Sequence, residues 1–304
     1  MNDVKPIAII IVNYKMEAMT TSFVIDELSK IAYPHKVIIV NNAATDESNL
    51  VLCTALDATL INGRDIDRST LHEVVVIPSN ENLGFAKGNN LGVEFCKNWF
   101  EPDYILFSNN DIEIKSVDVV EQLIKKIELT PSVGVIGPRI IGLDGIEQSP
   151  HPYRTFWQRN IWVHWSFLFY SNEKKREIFK LDYPQKAKEG FHYYVMGAFF
   201  VVRAVDLYKC GLFDPNTFLY MEEEILSERM KSIDKGAYYY PEVTVIHAHG
   251  VSTKKYIKNK MNNILFESEY YYYRKYMHTN LFLLYLGRIT CHLVNIKDYI
   301  KQLF

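Results

Sequence analysis

The chain has 304 residues, 48% hydrophobic and 23% charged, with a formal net charge of −2. That size and balance fit one large globular domain, or one domain with an appendage, and 14 glycines and 11 prolines are too few for linkers or low complexity. Four scattered cysteines (Cys53, Cys96, Cys210, Cys291) without a CxxC pair exclude a disulfide framework or a cysteine-zinc site.

The N-terminus runs directly into a strand, so no signal peptide is expected. No apolar run reaches the roughly 18 residues that span a bilayer. The expected protein is soluble and cytoplasmic. The charge is uneven. From Val251 onward there are nine Lys or Arg against three acids, a net +6, which leaves −8 on the rest. A basic tail on an acidic body points to an anionic partner near the C-terminus, with lipid favoured over nucleic acid because the body is acidic.

In chain order, residues 7–12 form an unbroken apolar run, the pattern of a parallel strand covered on both faces. A helix is expected from about residue 18 to 31, and a second strand over 37–40, ending in Asn41-Asn42-Ala43-Ala44-Thr45-Asp46. Residues 47–71 fit a helix and a loop alike. A third strand covers 74–77. Leu91, Phe95 and Trp99 recur every four residues, one face of a helix. A fourth strand covers 104–107. Val120, Leu123, Ile124 and Ile127 then mark a helix with Ser116 as its N-cap. This alternation predicts an α/β fold with a mostly parallel sheet. Further on, residues 145–190 are loop-rich and aromatic, and 193–202 read as one long buried strand. Leu226, Met230 and Ile233 mark a helix closed by Lys235-Gly236. Residues 238–240 and 243–246 return to strand, and the tail from Lys254 is expected to be helical.

The run Asp103-Tyr-Ile-Leu-Phe-Ser-Asn-Asn-Asp-Ile-Glu113 is the most informative stretch. A buried strand ending in amides and a carboxylate delivers polar groups to the open sheet edge, where ligands bind in α/β folds. Asp111 offers a hard oxygen to a divalent cation, with Asn110 beside it. An Asx turn leaving a strand is the plainer reading. The first glycine of the chain is Gly63, so neither the dinucleotide-binding GxGxxG nor the P-loop is possible after the first strand. A nucleotide held here needs another means of neutralising its phosphates, and a cation is the obvious one. Gly84, Gly88 and Gly92 stand four apart, fitting either a close helix contact or a turn passing near a ligand.

Several segments occur in order: Ile9-Ile-Ile-Val-Asn-Tyr14, Val40-Asn-Asn-Ala-Ala-Thr-Asp46, residues 80–92, Ser108-Asn-Asn-Asp111, Met196-Gly-Ala198, Gly211-Leu-Phe-Asp214, Phe218-Leu-Tyr-Met-Glu-Glu223 and Val245-Ile-His-Ala-His-Gly-Val-Ser252. Together they resemble family 2 glycosyltransferases, inverting enzymes with a GT-A fold, and especially the rhamnosyltransferase-like members that build bacterial surface polysaccharides. The resemblance covers about residues 6–253. It implies a GT-A domain over 1–253, with a nucleotide-binding half to about 135 and an acceptor half from 136. A basic, aromatic helical tail would follow over 254–304.

By that resemblance, Asp111 and His247 would hold Mg²⁺ or Mn²⁺ against the donor diphosphate. Val12, Tyr14, Asn41, Asn82, Gly84, Asn110 and Asp111 would bind the donor. The family usually has Asp where this chain has Asn41, which leaves the nucleobase open. Glu223 matches the family's general base, one methylene longer, and would take the acceptor's proton. The plainer reading of Glu222-Glu223-Glu224 is acids complementing a helix dipole. A further family Asp is replaced by Ile225. His249 has no family counterpart, and Lys254 and Lys255 either offset phosphate charge or are simply solvated.

The implied reaction moves a sugar from a UDP- or dTDP-sugar, rhamnose among the candidates, to a glycan or polyprenyl-diphosphate-linked acceptor. The tail's aromatic, apolar and cationic residues fit either peripheral contact with the inner face of the plasma membrane or packing on the domain. Two rivals are a nucleotidyltransferase and a non-catalytic nucleotide-sugar-binding protein.

Overall fold

The computed structural model describes residues 4–61, 63, 71–162, 165, 170, 171, 173, 174, 187–248 and 258–303. His249, Lys254 and Lys255 lie outside the described residues.

The first strand, β1 (Ile7–Asn13), shows why an unbroken apolar run was needed. Ile7, Ile9 and Ile11 enter one core cluster, while Ala8 and Ile10 enter another on the opposite face. Strand side chains alternate, so a strand covered on both sides must be apolar at every position. β1 pairs in parallel with β2 (His35–Asn42) and β5 (Tyr104–Ser108). β2 extends the row to β4 (Val74–Ser79), and β4 to the short β3 (Thr59–Leu60).

One face carries the helical run that begins with α1 (Glu17–Ser22), together with α2 (Asp46–Leu56) and α4 (Val119–Leu129). The other carries α3 (Gly84–Trp99), α5 (Ala204–Cys210) and α6 (Glu222–Lys231). In α3, a Cβ on Gly92 would come within 2.8 Å of Ile10, and one on Gly88 within 3.1 Å of Val12. Both glycines let the helix lie close on β1, so the close-contact reading holds for these two.

The sheet's far half is mixed. β9 (Phe199–Arg203) runs antiparallel to β5 and to β7 (Val133–Gly142). β10 (Gly236–His247) is parallel to β7, while its end pairs antiparallel with β6 (Ile112–Ile114) and its start with β8 (Gly190–His192). Among the described residues, the ten strands join one sheet.

Five expectations need correction. The helix expected over 18–31 spans 17–30, but only its first part is α-helical; Phe23–Glu27 is a π-helical turn and Leu28–Lys30 is 3₁₀. Ser116 does not cap α4: the cap position is Asp118, and Ser116 Oγ bonds that carboxylate instead. The long strand over 193–202 is interrupted, because β8 ends at His192 and β9 starts only at Phe199. Gly236 does not close α6 but opens β10, and Asp234 takes the left-handed turn at φ 59°. Residues 238–246 lie in one strand whose register shifts between Tyr240 and Thr244, where Pro241 cannot donate to the ladder.

The tail forms α7 (Lys258–Lys275) and α8 (Leu281–Leu303). Phe266, Tyr272, Tyr273 and Leu284 share a core with Phe156, Ile161, Met221 and Ile225, so these helices pack on the domain. No helix among the described residues is long and apolar enough to cross a membrane.

Candidate active site

A cavity of about 300 Å³ opens at the carboxyl ends of β1 and β5. Val12, Tyr14, Asn82, Gly84, Asn110 and Asp111 line it, and so do Glu223 and His247 from the other half of the chain. Asn41 lies behind it.

A chain of neutral side chains ties the cavity floor together. Asn110 Nδ2 donates to Thr20 Oγ1 at 2.8 Å, and Thr20 donates to Asn13 Oδ1 at 2.8 Å. Asn13 Nδ2 donates to Asn41 Oδ1 at 2.8 Å. Asn41 Nδ2 then donates to Ser48 Oγ and Asn49 Oδ1, each at 2.9 Å. Asn41 is 1% exposed, and its amide hydrogens are consumed inward. A carboxylate there has no hydrogens to give Ser48 and Asn49, so the amide suits this interior.

Asn42 takes the position beside the cavity. Its Nδ2 reaches the Gly84 carbonyl at 3.2 Å and Asn82 Oδ1 at 3.4 Å, and the same Asn82 oxygen accepts Gly84 N–H at 3.0 Å. Gly84 adopts φ +73°, and a Cβ there would run into the Phe218 carbonyl. The backbone at the start of α3 therefore passes close to the cavity wall only because residue 84 is glycine.

The third corner is built by strand pairing. β6 lies antiparallel to β10 with Ile112 opposite His247, which sets Asp111 beside the end of β10, and Ala248 N–H bonds the Asp111 carbonyl at 3.0 Å. Asp111 Oδ1 is 3.2 Å from His247 Nε2, with both side chains under 10% exposed. Asn109 Nδ2 stands 3.3 Å from the same Nε2, and Gln148 Oε1 is 2.7 Å from Nδ1. A carboxylate oxygen and an imidazole nitrogen converging from one side are a hard and a borderline donor, the set that a Mg²⁺ or Mn²⁺ ion accepts. Among the described residues, no group of three His, Cys, Asp or Glu is arranged to hold a metal. Two such donors would leave positions for phosphate oxygens and water, as is usual for ions of this kind.

Glu222 and Glu223, at the start of α6, line the same cavity, with Glu224 next in the helix. Two consecutive non-glycine residues, Tyr220 (φ 75°) and Met221 (φ 70°), take left-handed conformations just before them. Such strain clusters at working sites. Glu223 Oε1 accepts the Gly197 N–H at 2.9 Å. Burial, then the Glu224 charge, pushes the Glu223 carboxyl up to about 7, against the pull of backbone N–H groups and Arg159. Burial also drives Glu222 far above the ordinary carboxylate range, reinforced by Glu223. Arg159 grips Glu224 through both terminal nitrogens at 3.0 Å and lies 3.5 Å from Glu269 of α7.

Gly197, Asn42, Gln148, Arg159 and Glu269 were not singled out by sequence. Gly197 stood inside a quoted motif without a role. Gln148 and Arg159 fall in the aperiodic stretch after residue 145, where no pattern marks them.

The sequence profile described as "Glycosyl transferase family 2" matches residues 8–190, more than half of the chain. The chain belongs to glycosyl transferase family 2. Among curated relatives of this family 2 member, it is 27% identical over 154 residues to the low-salt glycan biosynthesis hexosyltransferase Agl10 of Haloferax volcanii, covering 50% of this chain and 43% of that protein. It is 25% identical over 200 residues to the N-acetylglucosaminyl-diphospho-decaprenol L-rhamnosyltransferase of Mycobacterium tuberculosis, covering 59% and 60%. The matches thus span about half of the curated relatives' lengths. Among solved structures, the mannosyltransferase PcManGT of Pyrobaculum calidifontis, in complex with GDP-Man and Mn²⁺, aligns with a TM-score of 0.57 at 12% identity over 97% of this chain and 72% of that one. GalNAc-T7 with UDP, GalNAc and Mn²⁺ aligns with a TM-score of 0.54 at 13% identity over 90% and 50%. At that identity the likeness concerns the fold, which is the GT-A fold of glycosyltransferases.

Proposed function

We propose that this family 2 protein is an inverting hexosyltransferase that moves a sugar from a nucleotide-sugar to a polysaccharide precursor. The observation that carries this reading is the shared cavity, which a base-poised carboxylate and a cation-type donor pair both line. Asp111 and His247 would hold Mg²⁺ or Mn²⁺, which when bound offsets charge on the departing diphosphate. Glu223 accepts the proton of the acceptor hydroxyl as that oxygen bonds to the anomeric carbon. The bond from that carbon to the diphosphate breaks on the opposite face, which inverts the centre. A carboxyl near 7 suits a base working at neutral pH.

The donor we favour is a UDP- or dTDP-sugar, with rhamnose among the candidates. The acceptor we favour is lipid-linked, as the name of the mycobacterial relative states for that enzyme. Peripheral membrane contact fits α8, where Phe282, Tyr285, Ile289, Leu293 and Ile296 are exposed at spacings of three and four. Exposed Trp165 donates its Nε1–H to Thr290 of that helix at 3.1 Å, adding an aromatic group of the kind that sits at membrane interfaces.

Turnover of a nucleotide-sugar panel tests the reading. Asp111→Ala and Glu223→Gln should each abolish release of nucleoside diphosphate. Unchanged activity in both variants rejects the proposal, and release of pyrophosphate identifies a nucleotidyltransferase instead. Donor binding without turnover or metal dependence identifies a non-catalytic binding protein.

A further inference from the structure

The three acids that open α6 are held differently. Glu223 Oε1 takes the Gly197 N–H, and Glu224 is paired with Arg159. Glu222 is 5% exposed, and its Oε1 is buried with no hydrogen-bond partner among the described residues. A buried oxygen left unpaired costs stability that an apolar side chain of the same shape would not. Glu222 also lines the cavity, where an entering group can supply the missing partner.

The turn before Glu222 is anchored from several sides. The Phe85 N–H at the start of α3 bonds the Phe218 carbonyl at 3.1 Å, and Ser268 Oγ of α7 donates to the Leu219 carbonyl at 2.8 Å. Met221, 3% exposed, packs into the core beneath the tail, with Arg159 Nη1 at 2.9 Å from its sulfur. The next residue is Glu222, so its carboxyl is set in place by elements that are already fixed.

Burial, then the Glu223 charge, lifts the Glu222 carboxyl well above the ordinary range, so it keeps its proton at neutral pH. A neutral carboxyl both donates and accepts, as a sugar hydroxyl does. It offers no charge to a cation.

We propose that Glu222 binds a sugar hydroxyl in the cavity and selects substrates that carry it. The proposal rests on the sugar transfer proposed above and gives it a specificity-determining residue. The hydroxyl belongs to the transferred sugar or to the acceptor, two sources with the same chemistry.

The test uses the full chain with Glu222→Leu and Glu222→Gln. The donors are the UDP- and dTDP-hexoses that the parent turns over, and the acceptor is a diphospho-polyprenol-linked N-acetylglucosamine, each also supplied as single-deoxy analogues. Glu222→Leu should lower kcat/KM roughly 10–100-fold, while Glu222→Gln, which still donates and accepts, stays near the parent. One deoxy analogue should be used equally well by the parent and by Glu222→Leu. A deoxy donor in that role assigns the hydroxyl to the transferred sugar, and a deoxy acceptor assigns it to the acceptor. In denaturant, Glu222→Leu should unfold at or above the parent's midpoint, because it removes the unpaired oxygen. A lower midpoint, or an equal loss of activity on every deoxy analogue, makes Glu222 structural and overturns the proposal. If the parent transfers no sugar, the proposed reaction falls and this inference with it. If the parent transfers sugar and Glu222→Leu does so equally well, only the role of Glu222 falls.

Discussion

Gly197 gives its backbone N–H to Glu223 Oε1 at 2.9 Å, and a Cβ on residue 197 would collide with that same carboxylate. The glycine is thus both the donor that holds the proposed base and the space in which it rests. Gly197→Ala should displace Glu223 and lower kcat by about 100-fold, the scale of a lost general base, with much less change in donor affinity. Steady-state kinetics beside nucleotide calorimetry separates the two effects.

Turnover should rise with pH through about 7, not through the 4.5 of an unperturbed glutamate, because only the ionised Glu223 accepts a proton. The stability sign is opposite. The folded state holds this proton more tightly than the unfolded chain, so folding loses stability as pH climbs from near 4.5 to about 7. Glu223→Gln should therefore have a higher Tm than the parent at pH 8 and an equal one at pH 4. Calorimetric scans at the two pH values check this, and a pH–rate profile checks the first claim.

Arg159 joins α6 to α7 through Glu224 and Glu269, two carboxylates under 10% exposed. Arg159→Ala leaves both without their cation, a loss of about 3–5 kcal/mol for a buried pair broken on one side. It also removes a positive charge that lowers Glu223, so the activity midpoint should move above that of the parent. Denaturant unfolding and the pH–rate profile read these outcomes separately.

Gly92 and Gly84 should respond differently. Gly92→Ala pushes a methyl into Ile10 within the core and should cost about 1–3 kcal/mol, with nucleotide affinity unchanged. Gly84→Ala forces a side chain into a left-handed turn against the Phe218 carbonyl at the cavity wall, and should weaken nucleotide binding. Chemical unfolding and nucleotide titration on both variants decide it.

The N-terminal half was legible because local rules govern it. Ile7 to Ile11 alternate between two cores, which forces an unbroken apolar run, and Asp111 lies in the turn just after β5, where polar residues interrupt such a run. The second half of the chain obeys longer-range constraints. Residues 193–198 are apolar enough for a strand, yet they bend so that Gly197 can meet Glu223. Gln148 acquires meaning only from a histidine 99 residues later. Arg159 likewise needs Glu269 of the tail, and no spacing in the sequence announces such pairs.

Tyr272 and Tyr273 are each 1% exposed against Met221 and Ile225, and Asp214 accepts from Tyr271, Tyr276 and Lys275 of the same region. Trimming the chain before residue 258 to obtain a minimal catalytic fragment would strip the cover from the turn that presents the glutamates. A shortened version that stays folded yet works poorly would be the outcome of that missing brace, and assays meant to map substrate preference call for the uncut polypeptide.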